Sequence, residues 1–325
     1  MKTKIISIAT LLITVKCLAQ DPSFTQFSST PLYLNPSFAG SADRSRIALS
    51  YRNQWNNTYQ TYHFSYDQVI NAIHGGAGLI VYNDNSREVL NVFYTGLVYA
   101  PKFNVSSSLS ISPSVKVGYR RTSINPNNLK LGEIVDRYRE ESGIFQASDA
   151  FKTNNNADIS IGFMLNTNDF YAGFAIDHVN KPNVSLVEGG KDILPSKHIV
   201  QAGYTYQESE SSNFSFSANA LYQYQALHTI VQTNFTFRYR WALAGFGVAG
   251  STALYFTGIL GFYSKRFVVG YTYDYFTNAI GYVVQKVKFE QQEDYDYVKA
   301  PVAHEISVKY FFNWQKEKKK GSNAN

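Results

Sequence analysis

Leu109, Ile111, Pro113, Val115, Val117 and Tyr119 alternate with Ser110, Ser112, Ser114, Lys116, Gly118 and Arg120, a period of two that gives a β-strand one apolar and one polar face. Two-faced runs of this kind recur. Ile47, Leu49 and Tyr51 oppose Ala48, Ser50 and Arg52, and Tyr62, Phe64 and Tyr66 oppose His63, Ser65 and Asp67. Phe214, Phe216, Ala218, Ala220, Tyr222 and Tyr224 face away from Ser215, Ser217, Asn219 and Gln223. Phe235, Phe237 and Tyr239 oppose Asn234, Thr236 and Arg238; Phe267, Val269, Tyr271, Tyr273 and Tyr275 oppose Gly270, Thr272 and Asp274. Strands with apolar side chains toward lipid and polar ones toward a lumen build the wall of a transmembrane barrel. The pattern therefore predicts an all-β chain, a transmembrane antiparallel β-barrel of outer-membrane type with about 14 strands, an even number as single-chain bacterial barrels have.

Spacing supports that count. Residues 44–313 hold the strands, and three long connections at 122–156, 180–196 and 278–300 leave about 14 residues for each strand and turn, enough for a span of about 9–11. With both termini periplasmic, the long connections follow odd-numbered strands and fall on the outer face. Asn166-Thr167-Asn168 and Ser264-Lys265 then close tight inner turns. Pro113 lacks the N–H that a closed wall needs and is expected at a bulge. Trp241 to Tyr263 is uncharged over 23 residues and long enough for a membrane helix. Its glycines at 245, 247, 250, 258 and 261 are poor helix formers, so a hairpin turning at Gly250-Ser251 is the preferred reading.

Lys2 and Lys4 precede the apolar run Ile5 to Val15, and Cys17-Leu18-Ala19 offers a cleavage site before Gln20, which reads as a signal peptide over residues 1–19. Lys16 before Cys17 speaks against lipidation. Cleavage would remove the sole cysteine, leaving no disulfide framework and no thiolate chemistry. The formal charge of +6 resides at the two ends, in Lys2, Lys4 and Lys16 and in the basic tail 314–325, so the body is near neutral and offers no basic face for nucleic acid. A mean hydropathy of −0.24 excludes a helical bundle in lipid. The 25 Tyr and 23 Phe suit the interfacial girdles of a barrel.

Residues 20–43 precede the strands and are too apolar for a free tail, with Phe24, Phe27, Leu32, Tyr33, Leu34 and Phe38 among Pro22, Pro31 and Pro36. This stretch is expected either to fill the lumen or line its periplasmic rim, or to present a surface to periplasmic partners; Phe24, Phe27, Tyr33, Asn35 and Pro36 are its candidate contact residues. Arg52, Asp67, Lys116, Arg120, Arg238 and Asp274 are candidate lumen charges, because strand charges are tolerated mainly away from lipid. They fit an ion-pair network holding a plug, or a transport path. No nucleophile elbow, phosphate loop or paired-cysteine zinc motif is present. The six histidines lack close metal-ligand pairing and read as wall or loop residues. Glu290, Glu293, Asp294 and Asp296 lack the glycine and terminal glutamate of an EF-hand loop and read as an acidic solvated loop. No metal, cofactor or enzymatic site is expected.

QDPSFTQFSSTPLYLNPSFAGS at Gln20 to Ser41, followed by YRNQW at Tyr51 to Trp55, resembles the start of the PorP/SprF family of type IX secretion system outer-membrane proteins. In that family an Asp-Pro-x-Phe-x-Gln-Phe opening leads to a Leu-Asn-Pro-x-x-Ala-Gly stretch and a Tyr-Arg-x-Gln-Trp first strand. Tyr271-Thr272-Tyr273-Asp274 is similar to a Tyr-Ser-Tyr-Asp strand, with Thr272 in place of Ser. His304-Glu305-Ile306 resembles a Gly-Ser-His-Glu element, although Pro301, Val302 and Ala303 replace its small residues. The resemblance implies a non-enzymatic barrel in the cell outer membrane that supports secretion of partner proteins such as gliding adhesins. Its implied partners are the secretion machinery with its periplasmic ring components, and a secreted protein with a C-terminal signal domain. A pore or transporter for small solutes is the rival reading.

Overall fold

The computed structural model describes residues 21–42, 44–125, 128, 151–209, 212–250, 254–276 and 302–312. The expected leader, the acidic stretch around Glu290 and the basic tail lie outside the described residues.

Strands follow one another almost without interruption: β1 Ser45–Gln54, β2 Tyr59–Ile70, β3 Gly75–Ser86, β4 Leu90–Pro101, β5 Phe103–Asn104, β6 Ser110–Ile124, β7 Asn154–Asn166, β8 Phe170–Asp177, β9 Lys197–Tyr206, β10 Phe214–Gln225, β11 His228–Tyr239, β12 Ala242–Gly250, β13 Leu254–Tyr263, β14 Phe267–Phe276 and β15 Val302–Phe312. Each long strand pairs antiparallel with its sequence neighbours, β1 pairs with β15, and β4 pairs with β6 around the two-residue β5. The sheet thus closes as a barrel of 14 long strands, as the alternation predicts, and no strand edge is left to pair elsewhere. Within Trp241 to Tyr263, β12 and β13 pair antiparallel with Gly250 opposite Leu254, while the expected turn at Ser251 lies outside the described residues; no helix among the described residues is long and apolar enough to cross a membrane.

Pro113 departs from expectation. Tyr99 faces Val115 and Phe103 faces Ile111, so equal numbers of residues separate the two pairs on each strand, and no extra residue makes a bulge. The ladder is instead interrupted between these pairs, where Pro101 and Pro113 fall opposite each other, while on its other side β6 keeps an unbroken register with β7, Pro113 facing Phe163. Two residues without N–H groups share one gap, and the lost bonds are confined to it.

The wall inverts the burial of a soluble protein. Leu97, Val117, Val200, Phe246 and Leu260 are exposed on the outside, whereas Ser50, Lys116, Gln201, Asp274 and Glu305 are buried inside. The strand ends before and after 125–153, 178–196 and 277–301 all lie at one end of the barrel (the loop end), and the opposite end carries short closures such as Thr167 N–H to Phe170 O at 2.7 Å and Ser264 N–H to Phe267 O at 2.7 Å.

Lumen-facing side chains are buried because residues 21–42 run through the lumen. Three tight turns fold this stretch: Phe27–Ser29, Pro31–Leu34 and Pro36–Phe38. Pro31 and Pro36 each begin a turn, where their fixed φ suits the geometry and a missing N–H costs no bond. The Asn35 side chain accepts from Ser37 N–H at 2.8 Å, capping the last turn. Phe24, Phe27, Leu32, Tyr33 and Leu34 form an apolar core with wall residues such as Ile80, Tyr82, Val98, Ile199 and Leu221.

Candidate functional site

The interior site is the contact between this stretch and the wall, and Arg52 is its most connected residue. β1 places Arg52 directly opposite Glu305 of β15, and β14 brings Asp274 alongside. The guanidinium meets Asp274 at 2.8 Å and Glu305 at 3.0 Å. Two carboxylates around one cation would be costly in a dry interior unless other donors complete them. The lumen stretch supplies those donors. Thr25 N–H reaches Glu305 Oε2 at 2.7 Å, Gln26 N–H reaches Glu305 Oε1 at 3.1 Å, and Thr25 Oγ1 donates to Asp274 Oδ2 at 2.6 Å. Thr257 donates to the other Asp274 oxygen at 2.7 Å, and the Asn234 amide donates to Thr25 O at 2.8 Å.

A second cluster lies nearer the loop end. Asp21 accepts from Arg120 at 3.0 Å and faces His178 Nε2 at 2.5 Å, while His178 Nδ1 faces Asp158 at 2.8 Å. His178 opens the connection after β8, with φ of +57°. Burial alone would lower its pKa, but Asp21 and Asp158 outweigh burial and hold it up at about 9. Beside them Lys116 pairs with Asp177 at 2.9 Å, and Lys197 lies 5.1 Å from the Tyr33 ring centroid.

A third set of contacts holds the stretch near the opposite end. Arg46 Nε donates to Asp67 at 2.8 Å and its NH2 donates to Phe38 O at 3.0 Å, while Gly40 N–H donates to the other Asp67 oxygen at 2.9 Å. The Asn35 amide donates to Phe163 O and Phe174 O at 3.3 and 3.1 Å, and Ser37 and Ser114 hydroxyls lie 2.7 Å apart. Gly76 and Gly162 admit this approach, since a Cβ on Gly76 would collide with Ala39 O and one on Gly162 with Asn35 Oδ1. Asp21 thus sits near the loop end and Gly40 near the turn end, so the stretch passes along the lumen.

Phe24, Phe27, Tyr33, Asn35 and Pro36 are all buried against wall or neighbours. Phe24 stands edge-on to Tyr33 and His63, at 5.1 and 5.6 Å, and Tyr33 edge-on to Tyr82 at 5.4 Å. Arg52, Asp67, Lys116, Arg120 and Asp274 are buried and ion-paired. Arg238 stands apart from them. It lies at the turn end of β11, donates to Ser215 Oγ and Ser212 O, and stacks over Tyr263.

Asp21, Arg46, Asp158, Asp177, His178, Lys197 and Glu305 belong to the site without having been singled out as charges. Asp21 and Glu305 lie within the quoted motifs, and Arg46 continues the inward face of Ala48, Ser50 and Arg52. His178 has no such signal. Among the described residues, no cluster of three or more side chains is arranged to hold a metal ion.

A closed antiparallel wall, apolar outside and polar within, with its own chain threaded through the lumen, defines an outer-membrane β-barrel. The model of the family described as type IX secretion system membrane protein PorP/SprF matches residues 17–290, and the chain belongs to that family. Family and fold are those of a membrane barrel and not of an enzyme class. No curated protein matches the sequence. Similar solved structures include the Acinetobacter baumannii outer membrane protein Omp33, at 8% identity and a TM-score of 0.45 over 83% of this chain and 98% of that one. A Pseudomonas aeruginosa FadL homologue is similar at 10% identity and 0.48, over 88% and 94%. The Pseudomonas putida toluene transporter TodX is similar at 11% and 0.45, over 91% and 96%.

Proposed function

We propose that this protein is a closed, partner-binding barrel of the type IX system, which supports secretion of other proteins through contacts with the machinery and not by conducting small solutes. The observation that supports this reading is the lumen: residues 21–42 occupy it, and buried ion pairs and hydrogen bonds tie them to many strands. A solute path would need lumen charges that face water, and five of the six candidate charges are instead buried in ion pairs with wall residues or with this stretch. Phe24, Phe27 and Tyr33 act in this reading as the plug and not as a partner surface. Partners such as ring components, and a secreted protein with a C-terminal signal domain, meet the rims. The loop end then faces outward and the turn end faces the periplasm.

Affinity purification of the tagged protein from detergent-solubilised outer membranes, with identification of bound proteins, tests this together with the secreted proteins of a strain lacking the barrel. Machinery components should co-purify and a defined set of proteins should fail to be secreted. Unchanged secretion with a loss of small-solute uptake would overturn the reading in favour of a transporter.

A further inference from the structure

The outside of the wall carries a groove of about 550 Å³ at the loop end, between β8–β10 and the connection 178–196. Ile176, His198 and Tyr224 form its floor. They stand opposite one another on adjacent strands, and their neighbours Asp177, Lys197 and Gln225 are buried on the lumen side. The connection forms a built roof. Asn183 accepts from Ser185 N–H and Asp192 N–H at 3.2 and 2.8 Å, Leu194 N–H donates to Pro182 O at 2.9 Å, and the Asn180 amide donates to Ala157 O at 2.8 Å.

Beside its exposed polar residues the connection also exposes Val179 and Ile193, and Leu227 at the adjacent turn is 86% exposed. These side chains carry the apolar, lipid-facing surface past the strand ends at this sector. Lys181 lines the groove and no carboxylate does. Its size is within the roughly 300–1,000 Å³ of small-molecule sites.

We propose that this groove binds an anionic membrane lipid, with an acyl chain along Ile176, Tyr224 and Leu227 and its phosphate at Lys181. The apolar floor is continuous with the surface that already faces lipid, which selects a lipid as the occupant. The ammonium at its edge selects a negatively charged headgroup.

Full-length protein in detergent, supplied with phosphatidylglycerol or phosphatidylcholine, is examined by native mass spectrometry as loosely held lipid is stripped. Phosphatidylglycerol should persist on the barrel where phosphatidylcholine is lost. Lys181→Ala should lower that retention about fivefold, the scale of one partly exposed ion pair, and Leu227→Ser should lower retention of both lipids. Leu97→Ser, on the lipid face of the distant β4, should change nothing. Each variant is checked for heat-modifiable migration to confirm a closed barrel. Equal retention of the two lipids, Lys181→Ala behaving as the parent, or Leu97→Ser reducing retention as much as Leu227→Ser, would overturn the proposal.

Discussion

Arg52 ties three distant stretches of sequence together: its own strand, the Asp274 and Glu305 strands, and the Thr25-Gln26 peptide in the lumen. Removing one partner from such a cluster leaves buried charge uncompensated, so Arg52→Ala should cost about 3–5 kcal/mol. A fall in the temperature at which the folded band disappears on gels measures it. Arg52→Lys keeps the charge but not the forked geometry, and should recover only part of the loss. A fully stable Arg52→Ala barrel would show that the carboxylates do not depend on the guanidinium. His178 gives a second expectation, with the sign set by its raised pKa. A group whose pKa rises on folding stabilises fully below its ordinary value of 6.5 and loses that contribution as pH climbs through about 9. The melting difference between the parent and His178→Gln should therefore be present at pH 6 and shrink by pH 10. A difference that grows with pH would place the charge on other groups.

At the scale of elements, the lumen stretch is held where wall glycines let it approach. Gly76→Val and Gly162→Val would force side-chain atoms into Ala39 O and Asn35 Oδ1, so both should displace residues 35–40 while the barrel remains closed. Cysteine introduced at Ser37, buried in the parent, should then become reactive to a soluble maleimide; continued protection in both variants would count against the packing described. The wall was legible in the sequence because lipid on one side and polar groups on the other impose a period of two, and that period gave the inward positions of Arg52, Asp67, Lys116, Arg120 and Asp274. The path of residues 21–42 was not legible. Their prolines break any period, and Thr25 finds its partner at Glu305, a pairing that only closure of the barrel creates. Pro113 was misread for a related reason, since its counterpart Pro101 is visible only once the register is known. His178 carries no pattern at all, being one histidine at the root of a connection.

For the whole molecule, a ring of 14 long strands is wider than the eight-stranded barrels that wall side chains alone can fill, so its interior must hold water, ligand or its own chain. Here it holds residues 21–42, bound at both ends and in the middle. Closure of the lumen by this stretch is the central claim, and conductance in planar lipid bilayers tests it most directly. The intact protein should show little or no steady current, and a variant lacking residues 21–42, verified as an inserted, heat-modifiable barrel, should show steps of porin size. A stable, porin-like conductance from the intact protein, or no change on removing the stretch from a correctly inserted barrel, would contradict it.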